Sequence, residues 1–81
     1  MDPIPPLDLE ELTYVQRLVM ERLACGLTNS AIATELNVTE RAVEKHVTHV
    51  LWTMGMFDGR NDRLNPRVVI AVAFLRGSSQ L

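Results

Sequence analysis

Apolar residues recur at helical spacing in two adjacent stretches near the middle of the chain. The first stretch contains Ile32, Ala33 and Leu36, and it is interrupted at Asn37–Val38. Positions three and four residues apart lie on one side of an α-helix. The pattern therefore predicts a short helix, a sharp turn and then a longer helix over residues 40–54, whose apolar face holds Val43, Val47, Val50, Leu51 and Met54.

Residues with helix-capping side chains stand where each of these two helices would begin. Thr28 or Asn29 can cap the first helix and Thr39 the second, because their side-chain oxygens accept hydrogen bonds from free backbone N–H groups. Asn37 lies at the turn and tolerates the left-handed conformation that a sharp turn requires. This order of elements is typical of a helix-turn-helix, whose second helix enters a DNA major groove. An ordinary helical hairpin within a small bundle is the alternative.

Capping signals predict one further helix on each side of this pair. Thr13 and Gln16 match a capping box, and Gly26 can close the resulting helix. Asn65–Pro66 is a typical helix start, and Gly77 is expected to end the helix that follows. We therefore predict an all-α, four-helix domain over residues 12–77. A proline-rich flexible segment (1–11), an exposed loop (56–65) and a short tail (78–81) complete the chain.

The fourth predicted helix is apolar on nearly every side. Packing on a three-helix core requires only one apolar stripe, here assigned to Val69, Val72 and Leu75 with Val68 or Ala73. Some of Arg67, Ile70 and Phe74 are then expected to face outward, and these three residues are the predicted dimer interface. A small soluble monomer seldom exposes such an apolar patch, so we predict that helix four is a dimer contact.

Composition excludes several classes of protein. The 81 residues carry a net charge of −2, but the part from Leu12 onward is +2, which neither supports nor excludes nucleic-acid binding. The single cysteine, Cys25, excludes an internal disulfide, and no apolar run approaches the roughly 20 residues of a membrane helix. Without a signal peptide, a cytoplasmic protein is expected. No convergent catalytic set is visible, so no enzyme, cofactor or metal site is expected, although His46 and His49 lie three residues apart.

The outer face of the third helix offers side chains suited to DNA. Arg41 and Lys45 lie one turn apart near its amino-terminal end, the part of a recognition helix that usually reaches base edges. Arg41 can bond a guanine bidentately, Lys45 a guanine or a phosphate, and Thr48 a thymine methyl group or a phosphate. Trp52 continues the stripe, with His49 and Glu44 on its flanks. The acidic Glu44 keeps a plain solvated helix face open as the alternative.

The helix starts and Trp52 are two further features of this region. Backbone amides at the starts of the two helices, near Thr28, Asn29 and Thr39, are suited to holding phosphates. Trp52 is an unusual outward residue, and either packing under the following loop from Phe57 or a contact with another protein accounts for it.

Residues 12–56 resemble the DNA-binding domain of LuxR/FixJ-type (NarL-like) bacterial transcription regulators. The resemblance rests on the motifs LT, GLTN, LNVTERAVEKHV and MGM, and the last part of the chain is similar to a subgroup of actinobacterial response regulators. It implies four helices, the third in the major groove with Glu44, Lys45 and Thr48 facing the bases, and the fourth as a symmetric dimer contact. Departures from the family pattern at Ala31, Glu44 and Trp52–Thr53 leave the target sequence open.

The resemblance implies double-stranded DNA and a second copy of the chain as partners, with RNA polymerase as a further candidate. Two other functions compete with sequence-specific DNA binding. One is an adaptor that contacts RNA polymerase or another regulator through Trp52 and helix four. The other is a module like region four of a sigma factor, which the GLTN and MGM motifs disfavour.

Overall fold

The helical periodicity of the sequence is realised as four α-helices in the computed structural model, which describes residues 4–55 and 65–79. The predicted all-α fold is confirmed. The predicted loop at 56–65 lies outside the described residues, apart from Asn65. The helices are α1 (Tyr14–Ala24), α2 (Asn29–Leu36), α3 (Glu40–Thr53) and α4 (Pro66–Ser78), preceded by a single 3₁₀ turn at Leu9–Glu11.

The predicted capping signals around α1 and α4 are confirmed. The Thr13 hydroxyl accepts a hydrogen bond from the Gln16 N–H at 3.1 Å, and the Gln16 side chain accepts one from the Thr13 N–H at 3.0 Å. Gly26 follows α1 with a φ of 93°, a backbone conformation that glycine adopts without steric cost. Asn65 caps α4 by accepting a hydrogen bond from the Arg67 N–H at 3.0 Å.

A single apolar core lies where all four helices meet. Helix α1 packs mainly against α4, and α2 packs mainly against α3. Every helix contributes completely buried side chains, so detaching any helix would expose apolar surface to water. These side chains are Val19, Met20, Ile32, Val43, Val50, Ile70 and Ala73.

Helix α4 turns a different face to the core from the one predicted. Ile70 is completely buried and Phe74 is 7% exposed, so the prediction that they face outward is wrong. The exposed apolar residues are instead Val68 (56%) and Leu75 (55%), with Val72 half-buried between them. An almost wholly apolar helix has no polar face to mark its orientation. Its orientation is set by the fit to α1, which the sequence pattern does not encode.

The segment before α1 is part of the fold and not a flexible lead. We call residues 4–11 the N-terminal strap. Leu7 and Leu9 belong to the core at 8% and 5% exposure, and the Leu7 N–H donates a hydrogen bond to the Ala73 carbonyl of α4 at 2.9 Å. Arg17 of α1 donates to the Leu9 carbonyl at 2.6 Å. The prediction that the folded part begins at Leu12 is therefore wrong; residues 1–3 of the predicted segment lie outside the described residues.

Gly77 does not end α4, contrary to prediction, because the helix continues to Ser78. A Cβ atom at Gly77 would lie 2.2 Å from the Leu7 carbonyl oxygen, closer than real Cβ contacts come. Glycine is required here for the close approach of the strap, and not for a turn. Ser79 forms the C-cap, and the remainder of the predicted tail lies outside the described residues.

Candidate nucleic-acid interface

The turn between α2 and α3 is closed by backbone hydrogen bonds. Asn37 adopts the predicted left-handed conformation (φ 57°, ψ 46°), which ends α2. The Val38 N–H then donates to the Ala33 carbonyl at 3.0 Å, as in a typical helix-ending motif. Two residues later, at Glu40, α3 begins. The short turn fixes the angle at which α3 leaves α2.

Both helices begin at the threonines that the sequence indicated. Thr28 caps α2, its hydroxyl accepting a hydrogen bond from the Ala31 N–H at 3.1 Å. Thr39 caps α3 in the same way through the Ala42 N–H, also at 3.1 Å. Each cap satisfies one of the free N–H groups of a helix start. The remaining amides of the first turns stay near the surface, at the positive end of each helix dipole.

Helix α3 has one face in the core and one in solvent, as predicted. Val43 and Val50 are completely buried, while Val47, Leu51 and Met54 pack against the core from its edge. Arg41, Glu44, Lys45 and His49 are exposed, and Thr48 is half-buried. The structure brings these predicted site residues together around one shallow surface depression, which is lined by Arg41, Glu44, Lys45, Thr48, His49 and Trp52.

A second surface depression lies at the start of α2. Thr28 and Asn29, two of the predicted site residues, line it together with Gly26, Leu27, Ser30, Glu40 and Arg67. Arg67 was predicted to lie at an outward dimer contact of α4. Its guanidinium group instead donates hydrogen bonds to the Asn29 side chain and to the Leu27 carbonyl, which holds a positive charge beside the α2 amino terminus.

The placement of Arg67 could not have been found from local sequence. Asn29 and Arg67 lie 38 residues apart, and they meet only because α4 packs against α1 so that its first turn reaches the α1–α2 junction. The Asn65–Pro66 signal indicated where α4 begins but carried no information about its neighbours.

Within residues 4–55 and 65–79, no three His, Cys, Asp or Glu side chains are grouped in a way that could hold a metal ion. None of the helices in these ranges has the length and apolar character needed to cross a bilayer. The exposed stripe of α3, together with the capped starts of α2 and α3, is the candidate site in the described part of the chain.

Comparisons with known proteins identify the same region. The family described as bacterial regulatory proteins, luxR family (GerE), matches residues 10–58. The nitrate/nitrite response regulator protein NarL of Escherichia coli K12 is 40% identical over 47 residues, and NarL of E. coli O6:H1 gives the same values. Each match covers 58% of this chain but only 22% of the relative. No solved structure matches the chain significantly.

The helix-turn-helix formed by α2 and α3 lies within the region that the family match covers. The matched region contains α1, α2 and α3 in full and amounts to more than half of the chain. The chain therefore belongs to the luxR family of bacterial regulatory proteins and carries that family's helix-turn-helix domain.

Proposed function

We propose that this chain is a DNA-binding transcription regulator, either on its own or as the effector domain of a response regulator, and that it inserts α3 into the major groove of double-stranded DNA. The observation that carries the proposal is the shared exposed face of Arg41, Lys45 and Thr48 on a helix whose other face is in the core. Two donors one turn apart suit the acceptor pattern of guanine in the major groove. Glu44 beside them repels phosphate, which lowers general attraction to DNA and favours discrimination by base contacts.

The two helix starts supply contacts to the DNA backbone in this proposal. Free amides in the first turns of α2 and α3 suit phosphate oxygens. At α2 the guanidinium group of Arg67 adds a fixed positive charge, because its bonds to Asn29 and Leu27 hold it beside those amides. Such contacts set the position of α3 in the groove without reading sequence.

Replacing Arg41 or Lys45 with alanine tests the base contacts. Each change is expected to weaken binding to a duplex selected from a random pool by about 1–3 kcal/mol, and to weaken binding to a random duplex much less. Titration of labelled duplexes by fluorescence anisotropy measures both affinities. Arg76→Ala is the matched control, because it removes the same charge from an exposed position on α4. Equal losses on both duplexes would reassign the residue to phosphate, and no loss on either would exclude α3 from the interface.

We further propose that two copies pair through α4 when they bind DNA. Val68, Val72 and Leu75 follow one another at intervals of four and three residues, which places them along one side of the helix. Two of the three are more than half exposed, although they are large apolar side chains. A two-fold contact between α4 helices would cover this stripe and present two α3 helices to adjacent half-sites.

Leu75→Asp is expected to abolish this pairing and leave the monomer folded, because Leu75 is 55% exposed and a charge there can remain in water. Sedimentation of both proteins, with and without a duplex that carries two half-sites, measures the association, and circular dichroism monitors helicity. A wild-type protein that binds a duplex with two half-sites as a single monomer per duplex would refute pairing through α4.

A further inference from the structure

Arg67, on the first turn of α4, connects this helix directly to the start of α2. Its guanidinium group donates one hydrogen bond to the Asn29 side chain and another to the Leu27 carbonyl, and all three residues are half-buried. Within residues 4–55 and 65–79, these are the only hydrogen bonds that join α4 to the segment leading into α2. The other contacts of α4 with the four-helix core are mainly its apolar packing against α1. Arg67 is therefore a direct link between α4 and the helix-turn-helix.

The Arg67 link lies between the two surfaces that the proposed function uses. Helices α2 and α3 form one unit, because they pack on each other and the short turn at Asn37 fixes their angle. On α4, Val68 follows Arg67 directly and begins the exposed stripe that continues through Val72 to Leu75. The orientation of α4 relative to α2 therefore sets where α3 lies relative to a two-fold axis through this stripe.

A small change in this orientation is large on the scale of DNA. A tilt of about 10° at a radius of about 20 Å, or two interhelical spacings, moves α3 by about 3.5 Å. A base-pair step is about 3.4 Å, because a turn of about 10 base pairs spans about 34 Å. A modest loosening of α4 would therefore let the two α3 helices reach half-sites at several spacings instead of one.

Arginine suits this link better than lysine would. The guanidinium group is planar and presents several N–H donors in fixed directions, so one side chain bonds an amide oxygen and a carbonyl oxygen at once. A lysine ammonium group carries the same charge, but it is a point charge on a flexible stem and fixes no such pair of directions. Arg67→Lys therefore removes the geometry of the link and keeps the charge.

We propose that Arg67 sets the spacing between the two half-sites that a pair of these chains recognises, by fixing the angle between α4 and the helix-turn-helix. This inference rests on the proposed function, because it assumes that α3 reads DNA and that α4 helices pair. The charge of Arg67 beside α2 acts on each half-site separately, whereas the link acts only when two half-sites are read together. Arg67 is in this respect a positioning residue, which selects among DNA targets without contacting a base.

The experiment uses the whole chain and labelled duplexes that carry two selected half-sites at a series of spacings, with a single half-site for comparison. Anisotropy titrations give the affinities, and the spacing selectivity is the affinity at the preferred spacing divided by that at a shifted spacing. We expect Arg67→Lys to lower this selectivity by about 5- to 10-fold, the factor that corresponds to one net hydrogen bond. A changed phosphate contact at residue 67 affects every two-site duplex alike and cancels in the ratio.

Two further variants separate the link from other effects. Arg76→Lys is the matched control, because it makes the same chemical change at an exposed position on the last turn of α4, and it should keep the wild-type selectivity. Asn29→Ala removes one of the two acceptors, so it should lower the selectivity less than Arg67→Lys. In an Arg67→Lys background it should have little further effect, because the two residues act through one contact. Circular dichroism establishes that the variants keep the helical content of the wild type.

Unchanged selectivity in a folded Arg67→Lys protein, or in Asn29→Ala if the lysine variant does not fold, would overturn this inference and leave the proposed function standing. Additive effects of the two substitutions would also overturn it. A wild type that binds single half-sites but prefers no spacing would overturn both the inference and pairing through α4, while DNA reading by α3 would stand. A wild type that binds no duplex would overturn the whole proposed function.

Discussion

Ile70→Asp is expected to unfold the protein and not merely to separate two copies of it. Ile70 is completely buried in the core, in contact with a cluster to which every helix contributes. Truncating a buried isoleucine costs about 2–5 kcal/mol, and burial of an unpaired carboxylate adds to that loss. A domain of this length has a free energy of unfolding of roughly 4–12 kcal/mol. The substitution therefore removes most or all of the stability.

Far-ultraviolet circular dichroism and thermal melting measure this loss directly. Leu75→Asp is the matched control, since it places the same charge five residues later on the same helix at a position that is 55% exposed. We expect the control to keep its helical content and a melting temperature near that of the wild type. An Ile70→Asp protein that is folded and as stable as the wild type would mean that α4 turns its other face to the core.

Gly77→Ala is expected to lower the free energy of unfolding by about 1.5–3 kcal/mol, although alanine is the better helix former. The added methyl group would lie 2.2 Å from the Leu7 carbonyl oxygen, so the strap must move away. Displacement exposes the buried Leu7 side chain and breaks its hydrogen bond to Ala73, losses of about 1.5–3 and about 1 kcal/mol. The gain in helix propensity, about 1 kcal/mol, offsets only part of this. Chemical denaturation of both proteins measures the difference.

The cause of this loss can be isolated by a double-mutant cycle. In a chain that begins at Asp8, the carbonyl group that opposes the new methyl is absent. Gly77→Ala should then become stabilising by up to about 1 kcal/mol, which reverses the sign of its effect. Ser78→Ala is the control for helix propensity alone, because Ser78 is exposed on the last turn of α4. A destabilising effect of the same size in both chains would show that the strap is not responsible.

The parts of the fold that were predicted correctly are those where local signals agree. In α2 and α3, apolar spacing, capping threonines and Asn37 all indicated the same boundaries, and α3 has a polar face that reveals its orientation. The outward positions of Arg41 and Lys45 followed from that face alone.

The errors arose where position depends on contacts between distant parts of the chain. Ile70 and Phe74 lie on a helix that is apolar around nearly its whole circumference, so the packing partner α1 decides which side is buried. Leu7 and Leu9 show no periodicity among prolines and acidic residues, and the close approach of Leu7 to α4 requires the glycine that lies opposite it. The position of Arg67 near Asn29 depends on the same packing.

Most of the N-terminal strap and all of α4 lie outside the region that the family match covers. That region is the stretch of residues 10–58, in which the family is recognised. The apolar core is larger at both ends, because Leu7 and Leu9 precede that stretch and Ile70 and Phe74 follow it, and all four are core residues. A fragment limited to residues 10–58 would keep the whole helix-turn-helix but would lack these four core side chains. We therefore expect such a fragment to be much less stable than the whole chain, although it keeps α2 and α3 in full.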